Sequence, residues 1–468
     1  MSTVWEPVIG LEIHVQLGTR TKMFCSCELG FGEPPNTRTC PVCLGLPGAL
    51  PVVNAKAIEY GLLIGMALDC ELADRSIFHR KNYFYPDNPK AYQISQYDEP
   101  LCGPGRLGEV RIHRVHLEED AAKLVHAGSS GRIHGSESSV VDFNRGGTPL
   151  VEIVTEPDVK SAEQAREWLT LLRETLRQLG VSDVDMSQGS LRCDANVSIR
   201  PKGEERFGTK TELKNMNSFA FLEQGVRAEI QRQIEIKDAG GEVEQETLHF
   251  DPRTGAITSL RSKEEAHDYR YFPEPDLVPI AIAPAMLEAA RAALPELPTQ
   301  RAERYERDFS LSADNAQLLA FRPEMAEFFE AGASESGNPQ ALAALILNEP
   351  DRVPQLDPIA VAKLVRLIGE KKVTPQNGRV VLDRLAENGG GDPEQIIEAE
   401  GLGVMEGGDE LDAIVDAALE ANADAAEKVR AGNMKAMGPI MGHVMRETKG
   451  RADGGQVTKL VREKLGAK

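Results

Sequence analysis

The sequence predicts an α+β protein, with a β-rich first part followed by an all-helical second part. Three observations carry this reading. Residues 1–293 are rich in short alternating apolar and polar runs broken by Gly, Pro and Asn, the pattern of half-buried strands joined by turns. Prolines punctuate PEPDLVPIAIAP (273–284) and LPELP (294–298), and alanine-rich helical patterns run from there to the end. NGGGDP (388–393) then divides the helical part, so a helical domain over 294–407 is expected to precede a small helical tail domain over 408–468. A chain of 468 residues is too long for one hydrophobic core, which agrees with several domains.

In chain order, VIGLEIHVQL (8–17) alternates Leu11, Ile13, Val15 and Leu17 with Glu12, His14 and Gln16. On a strand this puts a carboxylate and an imidazole on one face. In HLEED (116–120) a strand turns Glu118 and Glu119 to opposite sides, so only one of them reaches a shared centre. Glu152 in TPLVEIVTEPD (148–158) shares its face with Leu150 and Val154, where a carboxylate is costly unless a cation or donor meets it. SAEQAREWLTLLRETLRQLG (161–180) predicts a helix, with Ser161 and Gln164 as a capping box, an apolar stripe from Ala165 through Trp168, Leu172, Leu176 and Leu179, and Gly180 as its stop. SLRCDANVSI (190–199) alternates again and turns Arg192, Asp194, Asn196 and Ser198 to one face; GTKTELK (208–214) does the same with Lys210, Glu212 and Lys214. A second helix follows Ser218, with Leu222, Val226, Ile230 and Ile234 as its stripe. Each acidic face reads as a solvated surface or as part of a Mg²⁺ site, since Mg²⁺ takes oxygen ligands and bridges nucleotide phosphates. Spacing alone leaves both open.

Four of the seven cysteines lie in MFCSCELGFGEPPNTRTCPVCLGLPG (23–48), as Cys25, Cys27, Cys40 and Cys43. Their meaning depends on compartment. The N-terminal residues carry Glu6 and Pro7 where a signal peptide needs a cationic start and an apolar run, and GLLIGMAL (61–68) is far too short to span a bilayer. A cytoplasmic protein with no membrane partner is expected, and there clustered cysteines bind metal rather than form disulfides. Two close thiolate pairs around a Gly- and Pro-rich loop suit a closed structural Zn²⁺ site; packing as small hydrophobes is the alternative. Cys70, Cys102 and Cys193 read as core residues.

Composition and missing motifs exclude several classes. A net charge of −20 argues against a protein that coats nucleic acid with a uniformly basic surface. The charge is uneven, however: residues 383–427 hold fourteen Asp/Glu against one Arg, and residues 428–468 hold ten Lys/Arg against three Asp/Glu. The basic end suits contact with phosphate, and solvated helix faces explain it equally well. No G-x-x-x-x-G-K-[ST], kinase signature set, Rossmann fingerprint or nucleophile elbow occurs, nor a Gly/Ser-rich stretch supplying an amidase serine.

HRKNYFYPDNPKAYQISQ (79–96), HLEEDAAK (116–123), DFNRGGTPLVEIVTEPD (142–158), GSLRCDANVS (189–198), GTKTELKNMNS (208–218) and DYRYFPEPDL (268–277) are long and unusual blocks. Together they closely resemble the B subunits of the aspartyl/glutamyl-tRNA(Asn/Gln) amidotransferases, and the likeness extends to KAMGPIMGHVM in the tail. The resemblance implies a cradle domain (1–293), a helical domain and a tRNA-contacting tail. It implies a heterotrimer with an amidase subunit and a small belt subunit, in which ATP phosphorylates the side-chain carboxylate of Glu-tRNA(Gln) or Asp-tRNA(Asn) and ammonia from the amidase displaces phosphate.

By the same resemblance Glu12, His14, Glu119, Glu152 and Asp194 lead as Mg²⁺-site residues, with Glu118 and Glu212 next and Lys81 beside them in catalysis. Asn82 and Tyr83 are expected along the ammonia route or acyl pocket, and the complete set of Cys25, Cys27, Cys40 and Cys43 favours zinc. Two rival readings are a non-catalytic tRNA-binding scaffold and a ligase acting on free glutamate. Carboxylates clustered without metal would repel RNA, which counts against the scaffold.

Overall fold

The structure, a computed structural model, describes residues 3–127, 138–214, 216–261, 269–405 and 408–466. Asn215 of the 208–218 block and Asp268 of the 268–277 block lie outside the described residues. The chain forms two compact units, Met1–Leu297 and Pro298–Lys468, the first built on a sheet and the second helical. The fold is α+β, as the alternating and helical periodicities require.

The first unit is organised by an eight-stranded sheet. Across it the strands run Ala256–Arg261, Thr247–Asp251, Thr211–Lys214, Leu191–Pro201, Trp5–Gln16, Pro149–Thr155, Val110–Glu119 and Gly105–Leu107. Neighbours are antiparallel except Thr211–Lys214 beside Thr247–Asp251. The predicted alternation decides what each face does. Leu11, Ile13 and Val15, with Cys193, Ala195, Val197, Ile153 and Val151, are buried on one side. The helices Ala162–Gln178 and Phe219–Asp238 attach there, through Trp168 Nε1 donating to the Leu107 carbonyl (3.0 Å) and Gln233 Nε2 donating to the Val197 carbonyl (3.0 Å). Glu12, His14 and their cross-strand neighbours therefore lie on the opposite face.

Both helices start where their sequences direct. Ser161 accepts from the Gln164 amide (3.1 Å) and Ser218 from the Phe221 amide (3.1 Å). Gly180 closes the first helix at φ 66°, which a side chain would resist. The second helix differs from expectation in its buried stripe: Glu229 and Gln233 continue from Leu222 and Val226, and Ile230 and Ile234 are only half-buried. The reason is polar. Glu229 accepts from Thr211 Oγ1 (2.8 Å) and from Arg232, so its charge is met and the stripe rotates toward it.

A second, three-stranded sheet consists of Phe272–Pro273, His79–Asn82 and Tyr92–Ser95. Hydrogen bonds from the Ile94 amide to Glu119 (3.0 Å) and from Ser95 Oγ to Glu118 (3.0 Å) tie it to the main sheet.

In the helical unit, Pro298, Pro323, Pro339, Pro358, Pro375 and Pro393 each open a helix, a position where the missing N–H costs nothing. Asn338, Asp357, Thr374 and Asp392 cap four of these. Two hydrophobic clusters form, one around Tyr305, Phe329, Leu342, Val361 and Leu382, the other around Leu411, Val415, Ile440, Val457 and Val461. Met437 is buried in the second cluster, and the half-buried Met434, Met441 and Met445 pack against it.

Candidate active site

The polar face of the main sheet gathers side chains that lie far apart in sequence. His14 sits opposite Glu152 on one neighbouring strand and Arg192 on the other; Glu12 sits opposite Asp194, and Glu152 opposite His116. Directly opposed residues share a face with Cβ atoms about 5 Å apart. His14 Nε2 accordingly lies 3.4 Å from Glu152 Oε2, 3.7 Å from Glu12 Oε1 and 3.8 Å from Glu118 Oε1. His116 Nε2 lies 3.3 Å from Glu152 Oε2 and 3.7 Å from Glu118 Oε2. Two triads with ligand atoms within 4.8 Å result, Glu12–His14–Glu152 and His116–Glu118–Glu152, and Glu152 belongs to both.

Burial makes this grouping electrostatically demanding. Glu118, Glu152 and His116 are buried, while Glu12 and His14 are partly open. Burial and the neighbouring Glu152 charge push the Glu12 carboxyl upward. Burial also acts against the charged forms of Glu118 and Glu152, yet the imidazoles beside them hold both carboxyls below the usual range. The His14 imidazole is raised despite its burial, by Glu152, Glu118 and Glu12. Burial opposes a charge on His116 too, but Glu152 and Glu118 raise it to about 9. Arg114 Nε meanwhile donates to His116 Nδ1 (3.2 Å), which requires that nitrogen bare; a ring protonated on both nitrogens has to give up this contact.

The other expected residues are placed as follows. Glu119 turns away from His14, as strand alternation requires: it accepts from the Ile94 amide (3.0 Å) and pairs with Lys90. Glu118, ranked behind it from sequence, is the residue that joins His14. Asp194 and Glu212 both hold Lys214 Nζ, each at 2.9 Å, at the Glu12 edge of the cluster. Lys81 Nζ lies 4.9 Å from the centre of the Tyr269 ring. Burial opposes the Lys81 charge, but the Glu118 and Glu152 carboxylates keep its pKa raised. Asn82 binds backbone, its side chain donating to the Tyr269 (3.1 Å) and Arg270 (2.9 Å) carbonyls. The Tyr83 ring meets Tyr269 edge-on at 6.4 Å, and burial raises its hydroxyl pKa.

His116 is the cluster member that sequence reasoning overlooked. The signal was present: H-L-E in 116–118, like E-I-H in 12–14, places a His and a Glu two residues apart on one strand face.

The sulfurs of Cys25, Cys27, Cys40 and Cys43 lie within 4.8 Å of one another, and Cys40 Sγ is 3.9 Å from Cys43 Sγ. Sulfurs bound tetrahedrally at about 2.3 Å stand about 3.8 Å apart, so the cluster can hold a zinc ion. The bond from Cys25, a backbone contact and the Lys22 ammonium, against burial, lower the Cys43 thiol to about 4. Cys70, Cys102 and Cys193 are free thiols outside this group.

Two family models and several relatives match the chain. Residues 7–288 match the family described as the GatB/GatE catalytic domain, and residues 327–465 match the GatB domain. The chain is 47% identical to the B subunit of the aspartyl/glutamyl-tRNA(Asn/Gln) amidotransferase of Persephonella marina, with 98% of this chain and 99% of the relative aligned. Proteins of the same description from Thermobifida fusca (48% identical; 99% of this chain and 94% of the relative) and Frankia casuarinae (49%; 99% and 96%) are similar over the same extent. The chain belongs to the family of aspartyl/glutamyl-tRNA(Asn/Gln) amidotransferase B subunits.

Proposed function

We propose that this chain is the transferase subunit of a tRNA-dependent amidotransferase, activating the side-chain carboxylate of Glu-tRNA(Gln) or Asp-tRNA(Asn) with ATP and amidating it with ammonia. The observation that carries this reading is the convergence of Glu12, His14, Glu118, Glu152 and His116 on one sheet face. A carboxylate is a poor electrophile because its leaving group would be oxide. Attack of its oxygen on the γ-phosphorus of ATP breaks the bond to ADP and gives an acyl-phosphate. Ammonia then adds at the acyl carbon, phosphate leaves, and a proton is shed to give the amide.

The donor set fits a divalent cation, because three carboxylates lie around His14 within 3.8 Å. Glu12, His14, Glu118 and Glu152 would hold Mg²⁺, with Asp194 at the edge of the site. When bound, Mg²⁺ would neutralise phosphate charge during phosphoryl transfer. Lys81 keeps a positive charge facing Glu118 and Glu152, placed to orient an anionic substrate group. Glu212 holds Lys214 beside Asp194, and Glu119 holds Lys90. We place Asn82 and Tyr83 along the acyl pocket and ammonia route, through the turn at Tyr269 that Asn82 binds. The cysteine cluster would hold structural zinc.

Ammonia would come from an amidase partner, with a small belt subunit completing a heterotrimer in the cytoplasm; no helix among the described residues is long and apolar enough to cross a membrane. The isolated chain is therefore expected not to hydrolyse glutamine. The complex is expected to amidate mischarged tRNA from added ammonium in the presence of ATP. Glutaminase activity in the purified single chain would overturn this division of labour.

We further propose three working parts, a cradle over 1–293, a helical part over 294–407 and a tail over 408–468 that contacts tRNA. Lys428, Arg430, Lys435, Arg446, Lys449, Lys459 and Arg462 are exposed on the tail and available to phosphates. Removing residues 408–468 should raise KM for tRNA more than KM for ATP, and the difference should shrink as salt rises. Equal tRNA affinity with and without the tail at low salt would end this assignment.

A further inference from the structure

We propose that Tyr97, Tyr271 and Tyr269 form a stacking site for an adenine ring at the margin of the acidic cluster. The Tyr97 and Tyr271 rings lie parallel, with centroids 4.3 Å apart and planes within 7°. Tyr269 meets Tyr271 edge-on at 6.0 Å, and Tyr83 meets Tyr269 in turn. Tyr271 reaches inward: burial first, then the Glu118 and Glu152 carboxylates against Lys81, push its hydroxyl up to about 12. Tyr97 faces outward, and 52% of its surface remains exposed although one side is covered by Tyr271. A ring so exposed beside a half-buried partner offers its outer face to another planar group.

The backbone supports this purpose. Arg270, between the two tyrosines, has φ 42°, a left-handed conformation that a long side chain rarely adopts. Such strain persists only where surrounding contacts over-determine it. Asn82 provides them, its backbone amide donating to the Tyr269 carbonyl (3.0 Å) and its side chain to the carbonyls of both Tyr269 and Arg270. The turn sets Tyr269 at 72° to Tyr271, so that one ring presents an edge where the other presents a face. Asn82 is thus a positioning residue for the aromatic site.

The inference rests on the function proposed above, in which both substrates carry adenine: ATP, and the terminal adenosine of the aminoacylated tRNA. Aromatic faces bind any nucleobase by stacking, and the Glu118 and Glu152 carboxylates that act on Tyr271 belong to the acidic cluster proposed for the phosphates. The test uses 2-aminopurine, whose fluorescence is quenched on stacking, in place of adenine in the triphosphate and, separately, at the 3′ end of the tRNA. Binding of each probe to the complex is compared for the native protein and for Tyr97→Ala, Tyr97→Phe and Tyr97→Trp. Tyr97→Ala should weaken one probe about ten-fold, while Tyr97→Phe and Tyr97→Trp stay within about two-fold of native. A loss confined to the triphosphate assigns the site to ATP; a loss confined to the tRNA assigns it to the terminal adenosine. Unchanged binding of both probes to Tyr97→Ala overturns the proposal, as does an equal loss in Tyr97→Phe. So does a defect limited to assembly with the partner subunits, which would mark the tyrosines as a protein contact. Binding needs no turnover, so a complex that quenches the probe but makes no amidated tRNA would defeat the proposed function and leave the stacking site standing.

Discussion

His14→Ala, Glu152→Gln and Asp194→Ala should each slow ATP-dependent activation of mischarged tRNA by roughly two to four orders of magnitude, equivalent to about 3 to 5 kcal/mol of barrier. The effect should be largest at Glu152, which belongs to both triads and lies 3.4 Å from His14 and 3.3 Å from His116. A purely structural role predicts something different. Removing one partner from a buried polar group costs about 1 to 3 kcal/mol of stability and leaves the chemistry of the folded fraction intact. Single-turnover formation of the acyl-phosphate, measured beside thermal unfolding of the same variants, separates the two. Ammonium-driven amidation should fall in parallel, because that step consumes the acyl-phosphate. On the proposed division of labour, glutaminase activity of the complex should persist at a basal level, since its site would lie in the partner chain. Near-normal acyl-phosphate formation in the His14 and Asp194 variants would sink the reading of this face as a phosphoryl-transfer site.

Elements set by local chemistry were legible in the sequence. Alternation places the strand Trp5–Gln16 with Leu11, Ile13 and Val15 inward, and the serine caps place two long helices. Strand order was not legible, because pairing joins segments such as Trp5–Gln16 and Leu191–Pro201 whose register is fixed by core packing rather than by any turn between them. The Phe219–Asp238 helix shows how tertiary contact overrides pattern. Its apolar residues suggest a stripe through Ile230 and Ile234, but Glu229 and Gln233 find Thr211 and the Val197 carbonyl under the sheet and are buried instead.

For the candidate site, the period of two gives which residues share a face, and the antiparallel register gives which of them meet. Glu12 and His14 could be paired from sequence alone. Their meeting with Glu152 and Glu118 depends on the neighbouring Pro149–Thr155 and Val110–Glu119 strands, which no spacing reveals. Alternation did show that Glu118 and Glu119 part company, yet without the register it could not say which one turns toward His14. The tyrosine turn was still less legible. Its geometry rests on a left-handed Arg270 held by Asn82, 188 residues earlier, a contact with no local sequence signal.

The zinc proposed for Cys25, Cys27, Cys40 and Cys43 should stabilise the first unit by several kcal/mol, because closed four-thiolate sites contribute folding energy directly. The damage from its loss should not stay local. Around the cysteine segment the Met23 amide donates to the Gly147 carbonyl (2.7 Å), the Asn36 side chain accepts from the Phe143 amide (2.8 Å), and Asn144 Nδ2 donates to the Pro34 carbonyl (2.8 Å). Lys22, fully buried, bridges Cys43 Sγ and the Phe143 carbonyl. Residues 141–147 lead straight into the strand Pro149–Thr155, so loss of the metal should loosen the segment that delivers Glu152 to His14. Chelation, or Cys27→Ser with Cys40→Ser, should therefore lower the melting temperature and reduce activation of mischarged tRNA together. Cys70→Ser, at a free thiol outside the cluster, should leave zinc content unchanged. Elemental analysis should find about one zinc per chain. Protein that carries no zinc when purified without chelator, or that melts at the same temperature with and without it, would show that the four thiols are only packed together.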